Sequence, residues 1–268
     1  MNKQYFNVTK INNDIGEIDI YGEIVDTALF DDDTSATSFK DALKELKQVK
    51  NINVNLNSGG GDVFTGVAIH NMLKTHKAHV TIKIDGLAAS IASVIAMAGD
   101  KVVMPRNAMM MIHNAWTMGV GDARDLRKQA DDLDKINNVV IESYMDKNPE
   151  LDVDELKDIM NEETWLSAQE AYELGLIDEI AEANKAAANI TKNQIERYDN
   201  VPRKFRNEGE PKPPEEITVE DVMATLEEIK SDVKAIREKM EKDNEKPSNP
   251  GKEEEPPNNS FAKLFNLS

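Results

Sequence analysis

Residues 51–98 read NINVNLNSGGGDVFTGVAIHNMLKTHKAHVTIKIDGLAASIASVIAMA. Asn51–Asn57 alternates strictly, with Ile52, Val54 and Leu56 on one face, the period of a half-buried strand. The glycine run Gly59–Gly61 follows, and Val63–Thr75 then reads as a helix. Val80–Ile84 is a second strand, closed by Asp85–Gly86, and Ala88–Ala98 reads as a small-residue apolar helix without a charge, which predicts burial. Strands alternating with helices predict an α/β domain with mostly parallel strands and right-handed crossovers.

The same pattern extends outward from this stretch. On the N-terminal side, Glu17–Tyr21 alternates and stops at Gly22, and Ser35–Val49 is an amphipathic helix through Phe39, Leu43 and Leu46. On the C-terminal side, Lys101–Met104 and Ala108–His113 read as strands, Asp122–Met145 as a long helix, and Asp152–Met160 and Ser167–Leu174 as short ones. These elements predict one globular domain over residues 1–183, long enough for a sizeable core.

Composition changes after that point. Of 13 glycines, 11 precede residue 180, whereas 8 of 10 prolines follow residue 200, so two regimes share the chain. Residues 184–217 read as a linker. Over 218–243, Val219, Val222, Leu226, Ile229, Val233, Ile236 and Met240 form a heptad seam, a short coiled-coil helix. Residues 244–268 read as a disordered tail with an apolar end (Phe261, Leu264, Phe265, Leu267), either a docking peptide or a segment that folds back.

The net charge of −18 argues against a nucleic-acid partner, since phosphate contact needs a basic face. Up to Glu182 the balance is already −15, so the tail is not the source of the acidity. The absence of cysteine excludes disulfides, thiolate metal sites and thiol nucleophiles. No apolar run reaches membrane-spanning length and Met1–Lys10 lacks a signal core, which predicts a soluble, cytoplasmic protein without a membrane partner. No Walker A motif is present, so any ATP use would belong to a partner.

Four segments could carry chemistry. In Asp85–Ser93, a serine opens a buried helix after a strand, where backbone N–H groups favour a developing oxyanion. Close packing with Ser90 as a helix cap explains that segment equally well. The run Asn57–Asp62 lets backbone approach a ligand, as one half of an oxyanion hole or as a wall pairing with a peptide strand; a flexible turn is the alternative. His113 closes an apolar strand, as a general base for a serine can, or as an ordinary histidine at the core edge. Glu162 and Glu163 precede a short helix and could orient an imidazole, among 50 acidic residues that mostly serve the surface. His70 and His76 are six apart, on different sides of a helix, and predict no metal site.

Together these segments resemble the proteolytic subunit of the Clp (caseinolytic) protease family over roughly Gly16–Glu182. Asn57–Gly61 is similar to the family's Asn-Ser-Pro-Gly-Gly turn, with Gly59 in place of proline. Gly86–Ser90 resembles its nucleophile motif, and Met111–His113 its histidine motif, with Ala115 where a proline often follows. Gly121 is similar to a glycine of the next loop, and Trp165–Asp178 to the stretch after the third catalytic residue. The motifs keep their order, Ser90 to His113 spanning 23 residues and His113 to Glu163 spanning 50.

The resemblance implies roles. Ser90 would be nucleophile, His113 general base and Glu163, where the family usually has aspartate, the third member, with Glu162 as rival. Gly61 and Ile91 would donate the oxyanion-hole N–H groups; the strand and loop Asn57–Val63, with Gly59, Gly60, Asp62 and Val63, would pair with extended substrate. The implied fold is the Clp/crotonase type, repeated ββα units with a helix–strand handle at Ala108–Met145. The implied function is a serine endopeptidase acting on protein or peptide as a homo-oligomeric ring, without cofactor or metal. The tail makes the chain look most like Clp-related head-maturation proteases of phages and prophages, with capsid, scaffold or its own tail as substrate, in the host cytoplasm. The alternatives are a housekeeping-type subunit working with an ATP-driven unfoldase, a crotonase-type enzyme on acyl-coenzyme A, and an inactive scaffold protein.

Overall fold

The computed structural model describes residues 6–27, 34–183 and 195–203. All of these lie in the first of two compact units, Met1–Glu208; the expected heptad helix over 218–243 and the tail over 244–268 fall in the second, Gly209–Ser268, outside the described residues.

The chain is α/β. Its strands are β1 (Phe6–Lys10), β2 (Ile15–Tyr21), β3 (Asn51–Ser58), β4 (His79–Ala89), β5 (Lys101–Pro105), β6 (Met109–Ile112), β7 (Thr164–Ser167) and β8 (Glu179–Ala181). Its helices are α1 (Ala36–Glu45), α2 (Val63–Lys74), α3 (Ile91–Ala96), α4 (Ala123–Lys147), α5 (Val153–Asn161) and α6 (Ala168–Glu173). The main sheet runs β1-β2-β3-β4-β5-β8, parallel from β2 onward, with β1 antiparallel at the edge.

The alternation in β3 places Ile52, Val54 and Leu56 in the core, all fully buried. Burial of each such side chain contributes roughly 1.5–3 kcal/mol. Helix starts follow side-chain caps: Asp62 accepts from Thr65 N, Asp122 from Arg124 N and Asp125 N, Asp152 from Asp154 N and Glu155 N, and Ser167 from Glu170 N.

Strand β4 sets the site. It is eleven residues long and passes straight through Asp85–Gly86, where the sequence predicts a stop. Its first half, Thr81–Lys83, pairs with β5; its last three residues, Leu87–Ala89, pair with β6. The sheet therefore forks at β4. The helix expected over Ala88–Ala98 is correspondingly shorter, Ile91–Ala96. Ala88 and Ala89 favour helix intrinsically, but Ala88 sits between Ser58 of β3 and Met110 of β6, and paired backbone on both sides outweighs propensity.

Residues 195–203 depart from the linker reading of 184–217. Tyr198 and Val201 are buried in a small apolar cluster with Leu87, Ala89 and Met111, and Ile195 packs against it.

Candidate active site

Between the end of β4 at Ala89 and the start of α3 at Ile91, Ser90 stands alone at φ 55 and ψ −128. A non-glycine residue in this sparsely populated region costs about 1–3 kcal/mol and persists only where its surroundings over-determine it. Here they do. The Ser90 N–H donates to Met111 O at 2.9 Å, and Ser90 O accepts from the Ser93 N–H at 2.9 Å and from Ser93 Oγ at 2.5 Å. Ser93 Oγ is in turn bonded to the Tyr144 hydroxyl at 2.7 Å, in the buried interior. The elbow is thus anchored to β6 and to α4.

The fork at β4 brings the second group in. Because Ala89 pairs with Met111, the residues just beyond β4 and β6 are neighbours, and Ser90 Oγ lies 2.7 Å from His113 Nε2. Strand β7 then runs antiparallel to β6, with Ile112 opposite Thr164, so the next position of that register sets Glu163 beside His113. Three groups 73 residues apart in sequence meet at one end of three adjacent strands.

Glu163 is not hydrogen-bonded to His113. At φ 49 its chain turns out of the ladder. Its carboxylate accepts from the Asn200 N–H at 2.7 Å, the Asp199 N–H at 2.9 Å and Trp165 Nε1 at 3.3 Å. Its charge still reaches the imidazole. Burial pushes the His113 pKa below the ordinary histidine value, and the charges of Glu163, then Asp199, oppose that shift. The rival Glu162 is exposed; it ends α5, and its carbonyl accepts from Asn200 Nδ2 at 2.6 Å.

The glycine run wraps the elbow. A Cβ added to Gly60, at φ +91, would lie 2.8 Å from Ser90 Cβ and 2.7 Å from Ala89 O. One added to Gly61, at φ +150, would lie 1.9 Å from Ile24 O. Only glycine lets backbone approach the nucleophile this closely. Ile91 opens α3, so its N–H has no acceptor within the helix and sits beside Gly60.

The run does not offer the open strand edge expected at Asn57–Val63. Strand β3 is paired on both sides, Gly60 O accepts from the Ile24 N–H at 3.0 Å, and the Asp62 N–H donates to Ile24 O at 2.7 Å. Gly59 O accepts from the Tyr198 hydroxyl, the Asp62 side chain caps α2, and Val63 is the first residue of that helix. Ile24, which the sequence reading passed over, has taken the pairing positions.

A cleft of about 600 Å³ opens over Ser90 and His113, bounded by Glu23, Asp26, Trp116 and Tyr198 among others. Tyr198 was also missed: it stacks edge-on against His113, with centroids 5.3 Å apart, and against Trp165 at 6.0 Å. A faint signal existed, since Ile195, Tyr198 and Val201 recur every third residue in a stretch otherwise poor in large apolar groups. Of the other histidines, His70 is buried in α2 with Nδ1 3.2 Å from Asn71 Oδ1, and His76 Nδ1 accepts from the Ala78 N–H at 3.1 Å.

The sequence profile of the Clp protease family matches residues 18–184. The chain is 32% identical over 137 residues to a protein from Deinococcus radiodurans described as an ATP-dependent Clp protease proteolytic subunit, covering 50% of this chain and 66% of that one. It is 35% identical over 130 residues to ATP-dependent Clp protease proteolytic subunit 1 of Protochlamydia amoebophila, covering 47% and 62%. The chain thus spans a little under two-thirds of the length of these relatives.

Proposed function

The chain belongs to the Clp protease family, and from that premise we propose that it is a serine endopeptidase with Ser90, His113 and Glu163 as its catalytic residues. The observation that carries this reading is the 2.7 Å contact between Ser90 Oγ and His113 Nε2 at a strained turn. His113 Nε2 takes the hydroxyl proton as Oγ attacks the scissile carbonyl, then returns it to the leaving amine; water releases the acyl group. The carbonyl oxygen becomes an oxyanion between the N–H groups of Gly61 and Ile91. Glu163 supports the imidazolium electrostatically, and its proximity rather than a direct bond is what supports that role here.

The test is labelling of purified protein by a fluorophosphonate, with hydrolysis of an unstructured peptide, for wild type and Ser90→Ala. Loss of both in the variant, by several orders of magnitude in rate, is the expected result. Equal labelling of the two proteins would overturn the assignment.

For the biological setting, we infer head maturation of a phage or prophage, acting as an oligomer in the cytoplasm on capsid proteins or on its own tail. The linker, heptad seam and apolar end after residue 183 support it. The names of the relatives support a second setting, a proteolytic subunit fed by an ATP-driven unfoldase. Intact mass after expression separates them: loss of the tail from wild type but not from Ser90→Ala supports the first.

A further inference from the structure

We propose that residues 195–203 are a built-in occupant of the active site, a latch that holds Tyr198 over the Ser90–His113 pair and holds Glu163 away from His113. This proposal rests on the serine-peptidase reading above.

Contacts from four consecutive residues converge on the site. Arg197 Nη1 pairs with Glu23 Oε1 at 2.8 Å, at the rim of the cleft. The Tyr198 hydroxyl donates to Gly59 O, on the glycine turn, and counts Ser90 among its polar neighbours. Its ring lies edge-on to His113. The Asp199 and Asn200 N–H groups both donate to the Glu163 carboxylate, and Asn200 Nδ2 donates to Glu162 O. Tyr198 is only 8% exposed, so the ring is packed and not a surface side chain.

The chemistry of this arrangement is that of a resting enzyme. The Glu163 carboxylate gives one oxygen to each of these backbone N–H groups, and these charge-assisted bonds hold it toward 199–200, with acceptor sites left for an imidazole. The phenol ring forms the part of the cleft wall that lies against His113, beside Ser90. A peptide that displaces Tyr198 as it seats also frees Glu163 to turn to His113. Occupancy and activation are coupled through one segment. The cleft also has a matched ligand in this segment: a peptide with a basic residue at the Glu23 rim followed by an aromatic residue beside His113.

The experiment uses the full chain as wild type, Tyr198→Ala and Tyr198→Phe, each with and without Ser90→Ala. The readouts are the rate of fluorophosphonate labelling and kcat/KM on an unstructured peptide across pH. With the open form populated at ~1–10%, Tyr198→Ala is expected to label ~10- to 100-fold faster than wild type. Tyr198→Phe keeps the packed ring and loses the bond to Gly59 O, so a smaller gain is expected. A synthetic peptide of residues 195–203 added in trans should return the Tyr198→Ala rate toward that of wild type. The imidazole faces Glu163 and Asp199, and with the phenol gone it is both rehydrated and closer to Glu163. The acid limb of kcat/KM should therefore move to higher pH in Tyr198→Ala; the return of the labelling rate on adding the 195–203 peptide in trans is the readout that a purely structural role for Tyr198 would not produce. Ser90-dependent labelling at wild-type or lower rates in both Tyr198 variants overturns the latch and leaves the peptidase reading standing. Absence of Ser90-dependent labelling in every background overturns both.

Discussion

The Gly60→Ala substitution tests how the elbow is built. The added methyl would sit 2.7 Å from Ala89 O and 2.8 Å from Ser90 Cβ, both below any real Cβ contact, and the first of these is backbone. Neither neighbour can swing aside as the end of a flexible side chain would. Alanine at φ +91 also leaves the allowed basins, which costs about 1–3 kcal/mol, and overpacking adds about 1–3 kcal/mol more. A total of about 4 kcal/mol lowers Tm by roughly 8–16 °C in a unit of this size. The larger effect should fall on chemistry. Relief of the clash moves Ser90 relative to His113, and a displacement near 1 Å at a reacting atom costs on the order of 100-fold in rate. Thermal melts and fluorophosphonate labelling of the same preparation measure the two terms. Gly16→Ala is the control, because its Cβ would meet Leu46 Cδ2 at 2.7 Å, the far end of a flexible side chain remote from Ser90. It should label like wild type. If Gly60→Ala melts and labels within error of wild type, the close approach of the glycine turn to the nucleophile is not what that turn is for.

Two further outcomes follow from the same geometry. Activity requires neutral His113 and rises with pH through its pKa, which burial lowers and Glu163 and Asp199 partly restore; Glu163→Gln should therefore move the acid limb of kcat/KM to lower pH while reducing its plateau, and a shift to higher pH would refute the electrostatic role. Tyr144→Phe removes the buried bond to Ser93 Oγ, the group that also holds Ser90 O, and should cost about 1–3 kcal/mol in urea unfolding together with slower labelling; unchanged labelling would show that the elbow does not depend on α4.

Much of this protein was legible one segment at a time. Strict alternation in Asn51–Asn57 and the 4,3 spacing of Phe39, Leu43 and Leu46 record burial on one face of a local element, and β3 and α1 stand where those patterns lie. The glycines, Ser90 and His113 could be singled out because their chemistry is unusual for their positions. Strands β1, β7 and β8 were not legible and exist by virtue of their partners.

What the tertiary structure alone decided is pairing. Nothing local says that β4 continues through Gly86, forks, and gives its last three residues to β6, yet that register is what sets Ser90 against His113. Nothing in Glu163 itself says that its carboxylate turns to the backbone of Asp199 and Asn200, and nothing in Tyr198 says that its ring packs against His113. Periodicity reports how each residue's own element is buried, because the side-chain direction repeats along one backbone. Which backbone lies next to it depends on contacts across tens of residues, whose free energy belongs to the folded chain as a whole and leaves no period in the sequence.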